Sequence, residues 1–319
     1  MTDPLLEVRD LHRDYTLPRH TLFGPAPVLQ AVRGVSFSIM PGESFAIVGE
    51  SGCGKSTLAR SIVALEQPSR GTVTLRGENL FALNANDLRA MRRHVQMVFQ
   101  DPYGSLDPRH KVGRIVAEPF VTLTSESSRD KTAEIVASVL RDVGLKDADA
   151  DKFPHEFSGG QRQRIAIARA LITRPDLIVA DEAVSALDVS VQAQVLNLMT
   201  TLRAEHNLAY LFISHDLGVV HHVTDRVAIM YHGRIVEQGP TRKVFAEPRH
   251  PYTKMLLDAV PRPDPGRKKK RAIVEDVGDM PATGCPFAPR CGKVEDRCRQ
   301  QEPKLRSLET ERRVACHVV

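Results

Sequence analysis

Three sets of residues in this chain have types and spacings that can do chemistry. The first is GESGCGKST at 49–57. Gly49, Gly54, Lys55 and Ser56 fit G-x-x-x-x-G-K-[ST], the spacing of a loop that wraps phosphates. Its glycines let backbone N–H groups curl around an anion, and a helix starting at the end of the loop adds its positive dipole end. Lys55 has the reach for β- and γ-phosphates, and Ser56 offers a hydroxyl to Mg²⁺. Gly49, Ser51, Gly52, Cys53, Gly54, Lys55, Ser56 and Thr57 are therefore read as one nucleotide-phosphate cradle. Cys53 works here through its backbone, although a thiol at this place invites alkylation. The second set is DLIVADEA at 176–183. Asp181 suits Mg²⁺ held through water, and Glu182 is placed to polarise an attacking water. Alone, an acidic pair after a strand is a solvated strand end. Beside a phosphate loop it reads as the hydrolytic half of an ATP site.

The third set is four cysteines, Cys285, Cys291, Cys298 and Cys316, in the last 35 residues. Their spacing is C-x₅-C-x₆-C-x₁₇-C. Four thiolates suit Zn²⁺ or an iron–sulfur cluster. Zinc sites usually show close C-x₂₋₄-C pairs, which are absent here, whereas wide and irregular spacing wraps more easily around a cubane. His317 is either a substitute ligand or a surface neighbour of Cys316. Disulfides fit poorly, because MTDPLLEVRD at the N-terminus has no apolar signal-peptide core and the reading is cytoplasmic.

Positioning these residues requires strands that end at them. Short apolar runs at 45–49, 71–77, 94–100, 176–181, 209–214 and 226–231 read as strands, alternating with helical patterns at 56–66 and 190–206. That alternation predicts an α/β layered fold with a largely parallel sheet. Residues 101–175 hold no strong strand signal, and 129–145 has apolar residues at helical spacing. This stretch reads as a helical insertion. From about 240 onward Pro and charge become frequent, predicting one or two helices, a linker and a small appended cysteine-rich module.

The chain has 319 residues and a net charge of +5, with a pI near 9.0. Its one dense basic run, GRKKKR at 266–271, lies between Pro-rich and acidic stretches and reads as solvated linker rather than a nucleic-acid patch. No stretch approaches 18 consecutive apolar residues, so no membrane span is expected.

FSGGQRQRIAIARAL at 157–171 resembles the signature of ATP-binding cassette ATPases. Ser158, Gly159 and Gly160 open a helix, followed by Gln161, so this is a second place where a helix N-terminus faces an anion. The resemblance implies a cassette with a mixed sheet core, an antiparallel β subdomain and the helical insertion. It also implies that two cassettes sandwich two ATP molecules head to tail, each signature serving the other chain's nucleotide. Further marks fall in family order. Gln100 matches the glutamine loop, which senses Mg²⁺ and couples to a membrane partner. SALD at 185–188 places Asp188 at the dimer interface, and His215 in FISHD matches the switch histidine on the γ-phosphate. Tyr15 in LHRDYTL is the candidate adenine-stacking aromatic or a plain strand residue.

VFQDPYGSLDPR at 98–109, EAVSALDVSVQAQVLNLM at 182–199 and PRHPYTKMLLDAVPRP at 248–263 resemble the ATPase subunits of dipeptide and oligopeptide importers, in the form of the second of two different subunits. GCPFAPRC in the tail is similar to that group's segment understood to carry a [4Fe–4S] cluster, with Zn²⁺ as the alternative occupant. The resemblance implies an ATP-binding unit over 1–245 and a peptide-transporter extension over 246–319. It implies a second ATPase subunit, two permease subunits, an extracytoplasmic binding protein, and a peripheral place on the cytoplasmic face of the inner membrane. Relatives in the group also handle nickel, glutathione and antibiotic-type peptides. A nucleic-acid cassette is the rival reading. Recombination-type cassettes need a long coiled coil, for which 49–181 has no room, and excision-repair and translation cassettes usually come two per chain. One departure stands out: Ala183 occupies the place where the family has Pro after the catalytic Glu. Alanine keeps the acid in place but restrains the backbone less.

Overall fold

The computed structural model describes residues 3–19, 26–124, 128–260 and 283–319. The basic run at 266–271 lies outside the described residues. Twelve strands form two sheets among them. β1 (Leu6–Thr16), β2 (Val28–Ile39), β4 (Arg70–Leu75) and β5 (Glu78–Asn79) build an antiparallel sheet in the order β2-β1-β4-β5. The larger sheet contains β3 (Ser44–Val48), β6 (Val95–Val98), β7 (Leu177–Asp181), β8 (Ala209–Ser214), β9 (Arg226–Tyr231), β10 (Arg234–Pro240), β11 (Arg306–Glu309) and β12 (Arg312–Val314). Its order is β11-β12-β10-β9-β3-β8-β7-β6. β6, β7, β8, β3 and β9 run parallel, and the other three add antiparallel.

The parallel strands are continuous apolar runs because helices cover both faces. Every residue of β3 (SFAIV) and of β7 (LIVAD) is buried. The helices are α1 (Lys55–Ile62), α2 (Ala85–Arg92), α3 (Pro102–Ser105), α4 (Val112–Leu123), α5 (Arg129–Asp142), α6 (Gly159–Leu171), α7 (Val189–His206), α8 (Leu217–Val223), α9 (Thr241–Ala246), α10 (Pro251–Ala259) and α11 (Asp296–Gln300). Two apolar cores result. One joins the antiparallel sheet to α1 through Leu6, Val8, Val35, Leu58 and Ile62. The other joins the parallel sheet to the helices inserted between β6 and β7 and to α7, through Val116, Leu140 and Ile165 of the insertion and Val195 of α7. Each fully buried Leu, Ile or Val contributes about 1.5–3 kcal/mol.

The strands expected from the sequence are present, with 71–77 as β4 in the antiparallel sheet rather than the parallel one. The insertion over 101–175 is helical as expected. The C-terminal residues are not set apart from the cassette. β12 pairs with β10, Glu237 opposite Val314 and Gln238 opposite Arg313, so the tail extends the main sheet. The appended cysteine-rich module of the sequence reading is thus built into the fold's edge, because β10 would otherwise leave an unpaired ladder.

The turn into α10 carries a pH-sensitive cap. His250 is buried, and its Nδ1 accepts the Tyr252 N–H at 3.1 Å. Burial pushes this imidazole down to about 4 from its ordinary 6.5. The unfolded chain therefore binds the extra proton between those values and the folded chain does not, so stability falls as the pH drops through that window. About 2 kcal/mol is expected to be lost between pH 7.5 and 5 through this residue. Urea unfolding at the two pH values checks it, with His250→Asn expected to show a smaller difference.

Candidate functional site

Parallel pairing brings the ends of three strands to one edge. Val48 lies opposite Ser214, and Asp181 opposite Ile213. The next residues, Gly49, Glu182 and His215, therefore emerge together at the carboxyl ends of β3, β7 and β8, where α/β sheets place ligands.

The phosphate loop joins β3 directly to α1. Gly54 has φ +101°, and a Cβ there would come within 2.0 Å of the Ala31 carbonyl oxygen. A Cβ on Gly49 would come within 2.2 Å of the Met230 carbonyl oxygen. Both positions demand glycine because backbone passes that close. The N-terminus of α1 has no side-chain cap and no acid in its first turn. Its N–H groups are left to an anion. Lys55 is only 4% exposed. Its ammonium donates to the Gly49 carbonyl at 2.8 Å and the Glu50 carbonyl at 2.9 Å. Two of its three donors are directed in this way, and the third has only a long contact to Cys53 Sγ at 3.9 Å, which a ligand oxygen can replace. Cys53 is buried, and burial pushes its thiol up even though Lys55 pulls the other way. Burial opposes the alkylation that a thiol at this place invites, because the nucleophile is the thiolate, which burial disfavours. Cys53 in the folded protein is expected to react with iodoacetamide at pH 7.5 at least ~10-fold more slowly than in urea. Peptide mapping by mass spectrometry checks it.

Ser56 Oγ donates to Asp181 Oδ1 at 3.1 Å. Asp181 is pushed up, chiefly by burial, with Glu182 adding to the effect and Ser56 opposing it. A buried carboxylate beside a hydroxyl, with Lys55 close by, fits a bound Mg²⁺ that would relieve this desolvation. Glu182 takes φ +47°, held by its N–H to the Ile213 carbonyl at 2.9 Å and its own carbonyl to the Ser185 N–H at 3.1 Å. Ala183 is buried within this turn. These bonds, rather than a proline, restrain the backbone at the acid. The Glu182 side chain is 14% exposed, and two of the expected residues converge on it. Gln100 Nε2 donates to Oε2 at 3.0 Å, and His215 Nδ1 lies 3.2 Å from Oε1. A carboxylate oriented on both oxygens next to a phosphate cradle and a cation seat can activate water for attack on a phosphoryl group.

The other expected residues lie apart. Ser158 caps α6 by accepting from the Gln161 N–H at 3.4 Å, and Gln161 Oε1 accepts the Ser158 N–H at 3.0 Å. A Cβ on Gly160 would come within 2.3 Å of Val191 Cγ1, so Gly159–Gly160 packs against the start of α7. Asp188 caps that helix, accepting the Val191 N–H at 3.0 Å. No hydrogen bond among the described residues joins Ser158–Gln161 to the phosphate loop. Tyr15 is held by its hydroxyl donating to Glu66 and by Arg13 stacked 4.5 Å over its ring. Both contacts place it beside the chain leaving α1. A groove of about 640 Å³ runs from Ser56, Gln100 and Asp181 along Phe99, Pro119 and Leu123 of the helical insertion.

The four tail cysteines approach one another. The Cys285 N–H donates to the Cys298 carbonyl at 2.7 Å. Burial pushes the Cys285 thiol up to about 11, and the charges of Cys316, Cys298 and Cys291 add to the effect. Cys316 is also raised, first by burial and then by Cys291 and Cys298. All four are free thiols. Among the described residues no group of three or more His, Cys, Asp or Glu side chains is spaced to hold a metal ion. The zinc and iron–sulfur expectations thus find no support in the geometry of the described residues. His317 is turned to the Gln301 carbonyl at 2.9 Å.

Sequence reasoning missed Tyr252 and Arg290, both of which bind Glu50 of the phosphate loop. Nothing in their spacing signals this. The only hint is the position of Arg290 directly before Cys291.

Residues 32–185 match the family described as ABC transporter, and residues 236–298 match the oligopeptide/dipeptide transporter C-terminal region. The di/tripeptide transport ATP-binding protein DppF of Pseudomonas aeruginosa is 48% identical, over 99% of this chain and 98% of its own length. The dipeptide transport ATP-binding protein DppF of Escherichia coli is 45% identical, over 100% of this chain and 96% of its own. Among solved structures, the dimeric post-hydrolysis state of the ATP-binding cassette MJ0796 bound to ADP and Pi superposes with a TM-score of 0.66 at 26% identity. It covers 74% of this chain and 99% of that one.

Proposed function

Because this chain belongs to the ABC transporter family of ATP-binding subunits, we infer that it hydrolyses ATP to energise import of dipeptides or oligopeptides. The observation that carries the reading is Glu182, held by Gln100 and His215 beside the Ser56–Asp181 pair and the phosphate loop. Lys55 and the N–H groups of Gly52 to Thr57 hold the phosphates, and Glu182 takes the proton of the attacking water. Ser56 and Asp181, with Gln100, hold Mg²⁺, which neutralises phosphate charge when bound. Tyr15 stacks on adenine. Phosphate release by the purified protein, together with labelled dipeptide uptake in cells with and without the gene, tests this. Normal uptake without the gene would remove the peptide reading, and nickel or glutathione uptake assays take its place.

A partner cassette completes each site. Ser158, Gly159, Gly160 and Gln161 form a helix N-terminus whose hydrogen bonds among the described residues do not reach this chain's own phosphate loop, and they serve the phosphates of a second subunit. Val189, beside Asp188, is 83% exposed and lies on the surface that such a partner would cover. The resemblance favours a different ATPase subunit, so the pair is a heterodimer. The groove along Phe99 and Pro119 takes a cytoplasmic helix of one of two permease subunits. An extracytoplasmic protein delivers the cargo. This makes the protein peripheral on the cytoplasmic face of the inner membrane. Among the described residues no helix is long and apolar enough to cross a membrane. No nucleic-acid role is proposed.

Residues 246–319 form the peptide-transporter extension to the unit at 1–245. In it, Cys285, Cys291, Cys298 and Cys316 hold a [4Fe–4S] cluster. Their wide and irregular spacing along the chain, without close C-x₂₋₄-C pairs, supports a cubane over Zn²⁺. Anaerobically purified protein is expected to be brown, with broad absorbance in the visible blue. Colourless protein with one zinc per chain would give the site to zinc.

A further inference from the structure

We propose that the cysteine-bearing tail positions the phosphate loop through a clamp of Arg290 on Glu50. Arg290 Nη1 donates to Glu50 Oε2 at 2.9 Å and Nη2 to Oε1 at 3.0 Å, a two-pronged pairing across 240 residues of chain. Glu50 directly follows Gly49, and Arg290 directly precedes Cys291. The other polar groups of Glu50 are held as well. Its N–H donates to Tyr252 Oη at 3.0 Å, and its carbonyl accepts from Lys55 Nζ at 2.9 Å.

The clamp is built on an aromatic base. Phe287 lies 5.4 Å from the Tyr231 ring and 5.5 Å from the Tyr252 ring. The Arg290 guanidinium sits 5.9 Å and 5.8 Å over Tyr231 and Phe287. Its side chain is 16% exposed and that of Glu50 40%. An isolated surface pair contributes little. A planar fork on a carboxylate, held over ring faces, is geometrically specific. Glu50 in turn draws Arg290 further into its charged form.

Two consequences bear on the nucleotide. The direction of the remaining Lys55 N–H depends on where the Glu50 carbonyl sits. The Glu50 carboxylate also lies beside an anion cradle, and Arg290 compensates its charge. Removing Arg290 leaves an unpaired negative charge next to the phosphates. Arg290 is thus a positioning residue. It acts through Glu50, and the folding of segment 285–291 is what holds it there.

The inference rests on the nucleotide reading of the loop, so its test has one readout that needs no nucleotide. In the full-length protein, Arg290→Ala is expected to weaken ATP binding about tenfold, the order that one uncompensated charge exerts at close range. The same variant should speed iodoacetamide labelling of Cys53, read by peptide mapping. Arg290→Ala/Glu50→Gln is expected to bind ATP more tightly than Arg290→Ala alone, because the stranded charge is gone. Arg290→Lys keeps the charge but loses the fork. It is expected to fall between wild type and alanine, and it carries the test should alanine misfold. Unchanged ATP affinity and unchanged Cys53 labelling in Arg290→Ala, or in Arg290→Lys if alanine misfolds, would overturn the clamp. So would losses that simply add in the double variant. Wild-type protein that binds no ATP would instead overturn the nucleotide reading, while Cys53 labelling still decides the clamp.

Discussion

Glu182→Gln is expected to lower ATP hydrolysis at least ~100-fold while leaving ATP affinity within about threefold, the pattern of a lost general base. Glutamine keeps the size and planar shape of the side chain. Its amide oxygen still accepts from Gln100 Nε2, now at 3.0 Å from the carboxylate. What disappears is the proton-accepting oxygen and the negative charge that faces His215. Among the described residues the Glu182 side chain pairs with Gln100 and His215 and makes no hydrogen bond to the phosphate loop or to Ser56 and Asp181, so nucleotide binding should survive. The variant is also expected to accumulate an ATP-bound dimer, because closure no longer ends in hydrolysis. Single-turnover phosphate release and size-exclusion chromatography with ATP check both halves. Turnover at the wild-type rate would take the base role away from Glu182.

The second large effect is on stability. Arg312→Ala is expected to lower the unfolding free energy by about 3–5 kcal/mol, the cost of breaking a buried ion pair from one side. Arg312 and Glu237 are 1% and 0% exposed, and Nη2 meets Oε1 at 2.8 Å. The same guanidinium reaches the Glu247 carbonyl. Glu237 also accepts the N–H groups of Arg249 and His250, at 3.0 Å and 2.8 Å. Without Arg312 a buried carboxylate keeps only backbone partners. The pair joins β10 to β12, so the edge that carries the tail should loosen first. Replacing both partners with apolar residues is expected to cost less than the single change, because no charge is then stranded. Urea titrations of the two variants at pH 7.5 measure this. A loss below about 1 kcal/mol for Arg312→Ala would mean the pair adds nothing beyond its packing.

Much of the site was legible because its chemistry is local in sequence. A phosphate loop needs a strand end, a glycine-rich turn and a helix start in succession, and 45–62 supplies them in order. Glu182 follows Asp181 at a strand end for the same reason. Gln100 and His215 were placed by resemblance, and their meeting on Glu182 depends on parallel pairing that no short window of sequence encodes. The tail was harder to read. Two brief strands at 306–314 have little periodicity, and what makes them strands is the free edge of β10. Tyr15 shows another limit: its residue type left adenine stacking and a plain strand residue both open, and only packing sets Arg13 over its ring and its hydroxyl on Glu66.

By itself the sequence determined the phosphate-loop spacing between β3 and α1, the acid that follows β7, the helical character of the insertion and the gathering of thiols in the tail. These depend on spacing within one turn or one strand, where covalent geometry leaves few choices. Tertiary structure alone decided that Glu182 is gripped on both oxygens, that the start of α6 packs against the start of α7, and that Arg290 reaches Glu50. The Gln100–Glu182 and Arg290–Glu50 contacts join residues 82 and 240 positions apart. They exist because the sheet order brings distant segments to one edge, and a linear pattern carries no measure of that distance.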